Sequence, residues 1–415
     1  MKKILMVTGG LIGLAGMVNA DSWTQKASFP GVKRQIPFCF SIANNGYVGG
    51  GLDSNLNPLN DFWEYNTVSN VWTQKANYTG SGRYGLVAFS INNKGYAGCG
   101  SDNGSHVFND FWEYNPITNN WTQKANFGGG IRIFCVGLCI GNKGYLGTGN
   151  NNMGSNMNDF WEYDPTTDIW NQKDSLPGMS RTDAVGFSIG NKGYLGTGFK
   201  NYTLNDFWEY DPILNSWTQK ADFLGSSRAN ASGFSICGKG YIGIGTPGPS
   251  GLLFSDFWAY DPITNFWIQK SNVGGSGRDE AAYFSINNKG YIGLGRKTNS
   301  SIILDYLTDF WQYTPDSACI TGIQELPASP TLSITLSPNP FHDKTLLTIV
   351  ETHCNASLQN ATLNIYNIEG KVVRTIAVGN KKQITISRDQ MPSGIYFYQL
   401  MDEKGTLASG KMVVE

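Results

Sequence analysis

Asp110-Phe111-Trp112-Glu113-Tyr114-Asn115-Pro116, followed by Trp121-Thr122-Gln123-Lys124, is one copy of a pattern that recurs along most of the chain. Asp-Phe-Trp begins at Asp61, Asp110, Asp159, Asp206, Asp256 and Asp309. Gly-Tyr begins at Gly46, Gly95, Gly144, Gly193, Gly240 and Gly290, and Trp-x-Gln-Lys at Trp23, Trp72, Trp121, Trp170, Trp217 and Trp267. The last two series share spacings of 49, 49, 49, 47 and 50. The motifs take up all 12 Trp of the chain. A period of about 50 residues with four strand-length pieces per unit is the pattern of a β-propeller blade, and six copies predict an all-β, six-bladed ring.

Each unit parses into four strands. Strand a is an apolar segment such as Ala88–Ile91, strand b the Gly-Tyr segment, strand c Asp-Phe-Trp-Glu-Tyr and strand d Trp-Thr-Gln-Lys-Ala. The Asn-Asn-Lys-Gly stretch between a and b predicts a tight hairpin with Gly supplying positive φ. The Asn/Asp-Pro stretch between c and d predicts a type I turn with φ fixed by Pro. The first Trp-x-Gln-Lys, at Trp23, precedes any a, b or c strand, and the last Asp-Phe-Trp, at Asp309, has no strand d after it. The N-terminal strand is therefore expected to pair beside Phe310–Tyr313 and close the ring, which removes two sheet edges.

Residues 21 to about 318 resemble the kelch repeat, and with it the propeller of galactose oxidase. The resemblance rests on the glycines after strand b, the aromatic strand c, the Asp164-Pro165, Asp211-Pro212 and Asp261-Pro262 turns, and the Trp that follows. It departs from the family in one respect. The double glycine survives only at Gly49-Gly50-Gly51 and is elsewhere Gly-x-Gly, as in Gly98-Cys99-Gly100.

Both ends of the chain read as export signals. Lys2 and Lys3, the apolar run Ile4 to Gly16 and the small-residue site Val18-Asn19-Ala20 predict a signal peptide over residues 1–20. The run is shorter than the ~20 residues of a membrane span, so no span is expected in the mature chain. After Pro315 the period stops. Residues 319–333 read as a linker, and residues 334–415 as short antiparallel strands forming a small immunoglobulin-like sandwich. Leu336-Ser337-Pro338-Asn339-Pro340, the run Leu363 to Val373, Pro392-Ser393-Gly394-Ile395-Tyr396 and the terminal Gly410-Lys411-Met412-Val413-Val414-Glu415 resemble the C-terminal sorting domain of the type IX secretion system of Bacteroidetes. The resemblance implies engagement of that machinery and release to the medium or the outer cell surface. The seven Cys have no framework spacing, and most are expected as small core residues. A net charge of −1 gives no field favouring nucleic acid.

Strands alternate in direction, so the d–a and b–c loops share one face of the ring. The b–c loops are long and differ, from Leu52–Asn60 through Phe199–Asn205 to Arg296–Thr308, which places a specific site at that face, around the mouth of the central channel. An Arg recurs before each strand a, at Arg34, Arg83, Arg132, Arg181, Arg228 and Arg278. Six cations at the mouth suit an anionic ligand, and the kelch resemblance implies such a role for Arg in this loop. Their recurrence in every blade favours pairing with a repeated Asp or a backbone carbonyl instead. The next two positions vary. Asp183, Asn230, Asp279 and Glu280, with Arg181, Arg228 and Arg278 beside them, form the candidate ligand-binding patch on blades 4, 5 and 6, with solvated loop charges as the plain alternative.

Three functions stay open: a binding or adhesion module for a glycan or protein, a sugar-modifying enzyme of mutarotase or lyase type built on Glu280 with Arg278 or Arg228, or a structural surface protein. Copper oxidation is excluded, because the repeat region holds one His, His106. No metal cluster, phosphate loop or Ser/His/Asp motif is present, so no cofactor, metal or assigned catalytic residue is expected.

Overall fold

The computed structural model describes residues 21–102, 106–151, 154–248, 252–298, 304–316, 332–351, 361–367, 371–379, 381–389, 391–402 and 405–415. The expected leader, most of the expected linker, Cys319 and Cys354 lie outside them. The chain divides into two compact units, up to Cys319 and from Ile320 onward. Every regular element described is a strand.

The first unit is a six-bladed propeller. Blade 2 is typical: Val87–Ile91, Lys94–Gly98, Phe111–Asn115 and Asn120–Lys124 pair in sequence order as strands a to d. Strand a of each blade contacts strand a of the next, and the sixth contacts the first. Blade 6 joins both ends of the unit: Ala282–Ile286, Lys289–Gly293 and Phe310–Thr314 are completed by Ser22–Lys26, with Trp23 opposite Tyr313.

The closing strand reproduces the bonds of an ordinary blade. Strand-d Trp indoles donate one blade back, Trp72 to Ala27 O and Trp121 to Ala76 O; Trp23 donates to Ser271 O at 3.0 Å. Elsewhere the last residue of the c–d turn is Asn or Asp in the left-handed region, as at Asn119, which accepts from Tyr114 Oη and Ala76 N. Asp21 occupies this position in blade 6 and accepts from Tyr313 Oη and Ser271 N.

Packing between blades is aromatic. The strand-c Phe62 meets Tyr114 and Trp121 of the next blade edge-on, at centroid distances of 4.8 and 5.1 Å, a favoured geometry for such rings. The hairpin glycine has a different role from the one its sequence suggests. Asn92 and Asn93 supply the positive φ of that turn, and Gly95 lies inside strand b. Gly is needed there because a Cβ would sit 2.1 Å from Cζ of Phe40 in the preceding blade. Gly95→Val is expected to destabilise the propeller by about 1–3 kcal/mol through overpacking. Urea unfolding checks this, and an unchanged midpoint would show that Phe40 has room to move.

Cys39, Cys99, Cys135 and Cys139 are free. Cys237 lies in the a–b turn of blade 5 at φ 54°, packs against the buried cluster of Phe234, Ile236 and Tyr241, and is disulfide-bonded.

The second unit is a sandwich of two antiparallel sheets. Leu332–Ser337, Lys344–Glu351 and Gln383–Ser387 form one; Val372–Ala377, Thr362–Tyr366, Gly394–Asp402 and Gly405–Val414 form the other. Leu347, Ile349, Leu363, Ile365, Ile386 and Leu400 fill the space between them, the alternation expected of strands buried on one face.

Candidate functional site

The three residues that open each d–a loop have three different jobs. The first, the recurrent Arg, points into its blade. Each guanidinium is buried and pairs with the Asp of its own Asp-Phe-Trp motif at 2.5–2.7 Å. The same Asp accepts from the Trp indole two residues on, as Asp206 does from Trp208. The Arg also reaches a carbonyl at the end of strand b, Thr197 O for Arg181 and Ile244 O for Arg228. Arg181, Arg228 and Arg278 are therefore not part of the mouth: their donors are taken up by Asp206, Asp256, Asp309 and backbone.

The second residue bridges to the b–c loop, Thr182 to Phe199, Ala229 to Thr246 and Asp279 to Arg296. Asp279 therefore turns away from the axis. It is fully buried, and its carboxylate takes Nε and Nη2 of Arg296 at 2.9 and 3.2 Å.

The third residue faces the axis. Ile36, Gly85, Phe134, Asp183, Asn230 and Glu280 all have φ between 53° and 64°. Backbone bonds link them around the channel: Ile36 N to Glu280 O, Glu280 N to Asn230 O, Asn230 N to Asp183 O, Asp183 N to Phe134 O and Phe134 N to Gly85 O, at 3.0–3.3 Å. A left-handed Ile, Phe or Glu is unfavourable in isolation; here the run of five bonds holds it.

The ring rims a cup of about 110 Å³, lined at its mouth by these six residues and below by Pro37, Leu86, Cys135, Ala184, Ala231 and Ala281. That is room for a few waters or one ring-sized polar group. The cup has two sides, with Asp183, Asn230 and Glu280 on consecutive blades facing Ile36, Gly85 and Phe134. A second cavity of about 100 Å³ is lined by the strand-a residues Cys39, Ala88, Gly137 and Gly186, and Tyr283 lines both. Small residues hold this strand-a position in blades 1 to 5, so Tyr283 is the one large side chain at it. Its backbone N–H and C=O both meet Cys39 Sγ, and burial pushes the Cys39 thiol up to about 12.

The cup perturbs its carboxyls. Burial raises Asp183 to about 6, with repulsion from Asp279 adding and a Thr182 hydrogen bond and Arg296 opposing. Burial raises Glu280 to about 8; Asp279 and Asp183 add to this and Arg296 opposes it. Glu280 Oε1 pairs with Arg296 Nη2 at 3.0 Å, and Arg296 Nη1 donates to Gln35 Oε1.

Of the candidate patch, the structure brings Asp183, Asn230 and Glu280 together, with Asp279 behind them, and leaves the three Arg outside. Sequence reasoning missed Arg296, Ile36, Phe134 and Tyr283. The signal for Tyr283 was available in the column Cys39, Ala88, Gly137, Gly186, Gly233, Tyr283. His106 is exposed in its loop and pairs with Asp102. Among the described residues no three His, Cys, Asp or Glu converge to hold a metal.

A family model described as the KLHDC2/KLHL20/DRC7 Kelch-repeats domain matches residues 18–175, and one described as the secretion system C-terminal sorting domain matches residues 335–415. The chain is a kelch propeller with a sorting tail. A solved structure titled "Structure of YjhT" is similar to it with a TM-score of 0.59 and 17% identity, covering 70% of this chain and 97% of that one; at that identity the likeness speaks to fold alone. No curated protein sequence matches the chain. The sorting domain directs the kelch propeller out of the cell by type IX secretion, to a secreted or cell-surface location. No helix among the described residues is long and apolar enough to cross a membrane.

Proposed function

We propose that the propeller is an exported glycan-binding module that seats one sugar residue of its ligand in the channel mouth. The observation that carries this reading is the two-sided cup, with hydrogen-bonding Asp183, Asn230 and Glu280 opposite apolar Ile36 and Phe134. A sugar ring presents hydroxyls at its edge and C–H groups on its faces, and pockets that pair convergent polar groups with an apolar wall suit such ligands. A protein ligand would meet the surrounding b–c loops as well. Residues 1–20 are the leader in this reading, and Asp21 begins the mature strand that closes the ring.

A second reading is favoured by one observation. Asp183 at about 6 and Glu280 at about 8 are two carboxyls of one cup pushed apart, the arrangement of a base and an acid in one site. A mutarotase-type enzyme needs such a pair, and Arg296 takes the place that Arg228 or Arg278 was expected to fill.

The full chain on a glycan array, beside Asn230→Ala and Glu280→Gln, tests the first reading. Saturable binding is expected, weakened at least tenfold in each variant. Binding that both variants retain would move the ligand off the mouth. Anomer interconversion followed by NMR on any sugar bound separates enzyme from binder.

A further inference from the structure

Resting on the glycan reading, we propose that the sugar seated in the mouth is an amino sugar, with its primary ammonium between Asp183 and Glu280 and its apolar ring face on Ile36 and Phe134. Asp183 and Glu280 line one side of the channel mouth, and Asp279 is buried behind it on the single guanidinium of Arg296, which also pairs with Glu280. Arg296 divides its donors among Asp279, Glu280 Oε1 and Gln35. This leaves Glu280 Oε2 buried with no hydrogen-bond partner, in a side chain 8% exposed that lines the cup. A buried acceptor without a donor is a costly arrangement that a ligand N–H relieves.

Once ionised, the three carboxyls exceed Arg296 both in acceptors and in negative charge. A hydroxyl brings one donor and no charge; an ammonium brings three donors and the opposite charge. A calcium ion is a poorer fit, since it takes six to eight oxygens, and among the described residues no metal-holding group of three His, Cys, Asp or Glu is present. On the far side, Phe134 offers an aromatic face, which attracts a cation or the C–H face of a sugar bearing one.

The groups facing Glu280 are Asp183, Asp279, Arg296 and Tyr306. Raised to about 8, Glu280 holds a proton at neutral pH in the empty cup. An ammonium favours the carboxylate, so its binding expels that proton. Affinity therefore climbs with pH from about 6 until the amine itself deprotonates. A neutral sugar has no such preference and expels no proton.

Isothermal titration of the full chain with glucosamine, glucose, N-acetylglucosamine and a lysine-bearing peptide, at neutral pH in two buffers of different ionisation heat, tests the assignment. Glucosamine is expected to bind at least tenfold more tightly than the two neutral sugars, with net proton release. Glu280→Gln should lose that tenfold and the proton release while melting like the parent. Asp183→Asn, a second near-isosteric change, should weaken glucosamine more than glucose and so narrow the preference. Equal binding of the three sugars would overturn the ammonium assignment and leave the glycan reading standing. Preference for the peptide would overturn the sugar as carrier. Binding of none of the sugars would overturn both readings.

Discussion

Arg181→Ala is expected to remove about 3–5 kcal/mol from the stability of the propeller, the cost of leaving one partner of a buried ion pair behind. The guanidinium is fully buried, holds Asp206 through two bonds of 2.5 Å and caps Thr197 O. Its loss strands the Asp206 carboxylate and the carbonyl together, at the point where strand b gives way to its loop. Arg181→Lys should recover only part of the loss, because an ammonium cannot make the two-pronged contact. Urea unfolding of the full chain reads both variants, and a parent-like midpoint for Arg181→Ala would refute the assignment. The same device predicts acid sensitivity. Burial alone would raise the carboxyls of Asp61, Asp206, Asp256 and Asp309, but the guanidinium bonds outweigh it and hold them below the usual carboxylate range. Groups so depressed stabilise the fold fully above their unfolded value of about 4 and lose that contribution as pH falls through the folded values. These pairs should make the melting temperature drop steeply below about pH 4, and a flat profile into that range would count against them.

Trp23→Ala is the second large expected effect, about 3–5 kcal/mol from truncation of a packed indole. Trp23 meets Phe257 and Tyr313 at 5.1 Å and donates to Ser271 O. Trp72→Ala makes the same cut inside a blade continuous in sequence, which isolates what is special about closure. Only the Trp23 change should also free the strand Ser22–Lys26 from Phe310–Thr314 and reopen a sheet edge. Limited proteolysis is expected to cleave near Lys26 in that variant and not in Trp72→Ala. Resistance equal to the parent would mean that backbone pairing and Asp21 suffice to hold the ring shut.

Much of the fold was legible because a blade is a local object repeated six times. The offset of Trp23 and Asp309 at the two ends of the series gave the closure, and the Arg and Asp that recur together in every blade proved to be partners. The mouth was less legible for a backbone reason. Which of two adjacent residues faces the axis depends on the left-handed conformation of the second. Asn230 and Asp183 are at home there, but Ile36, Phe134 and Glu280 disguise it. Asp279 and Glu280 thus read as equals in sequence and differ completely in space. Arg296 was hidden differently, since it reaches the site from a b–c loop unlike that of any other blade.

The bonded ring at the channel mouth separates two demands that usually compete. Its conformation is held by backbone groups, and the propeller's stability rests on Arg, Asp and Trp side chains that point elsewhere. The six axis-facing positions are thereby released from folding duty. Ile, Gly, Phe, Asp, Asn and Glu already occupy equivalent places in one molecule, so the fold tolerates nearly any chemistry there. Such a mouth is readily evolved: new recognition is reached by exchanging side chains on a fixed rim, one blade at a time, without repaying a folding cost at each step.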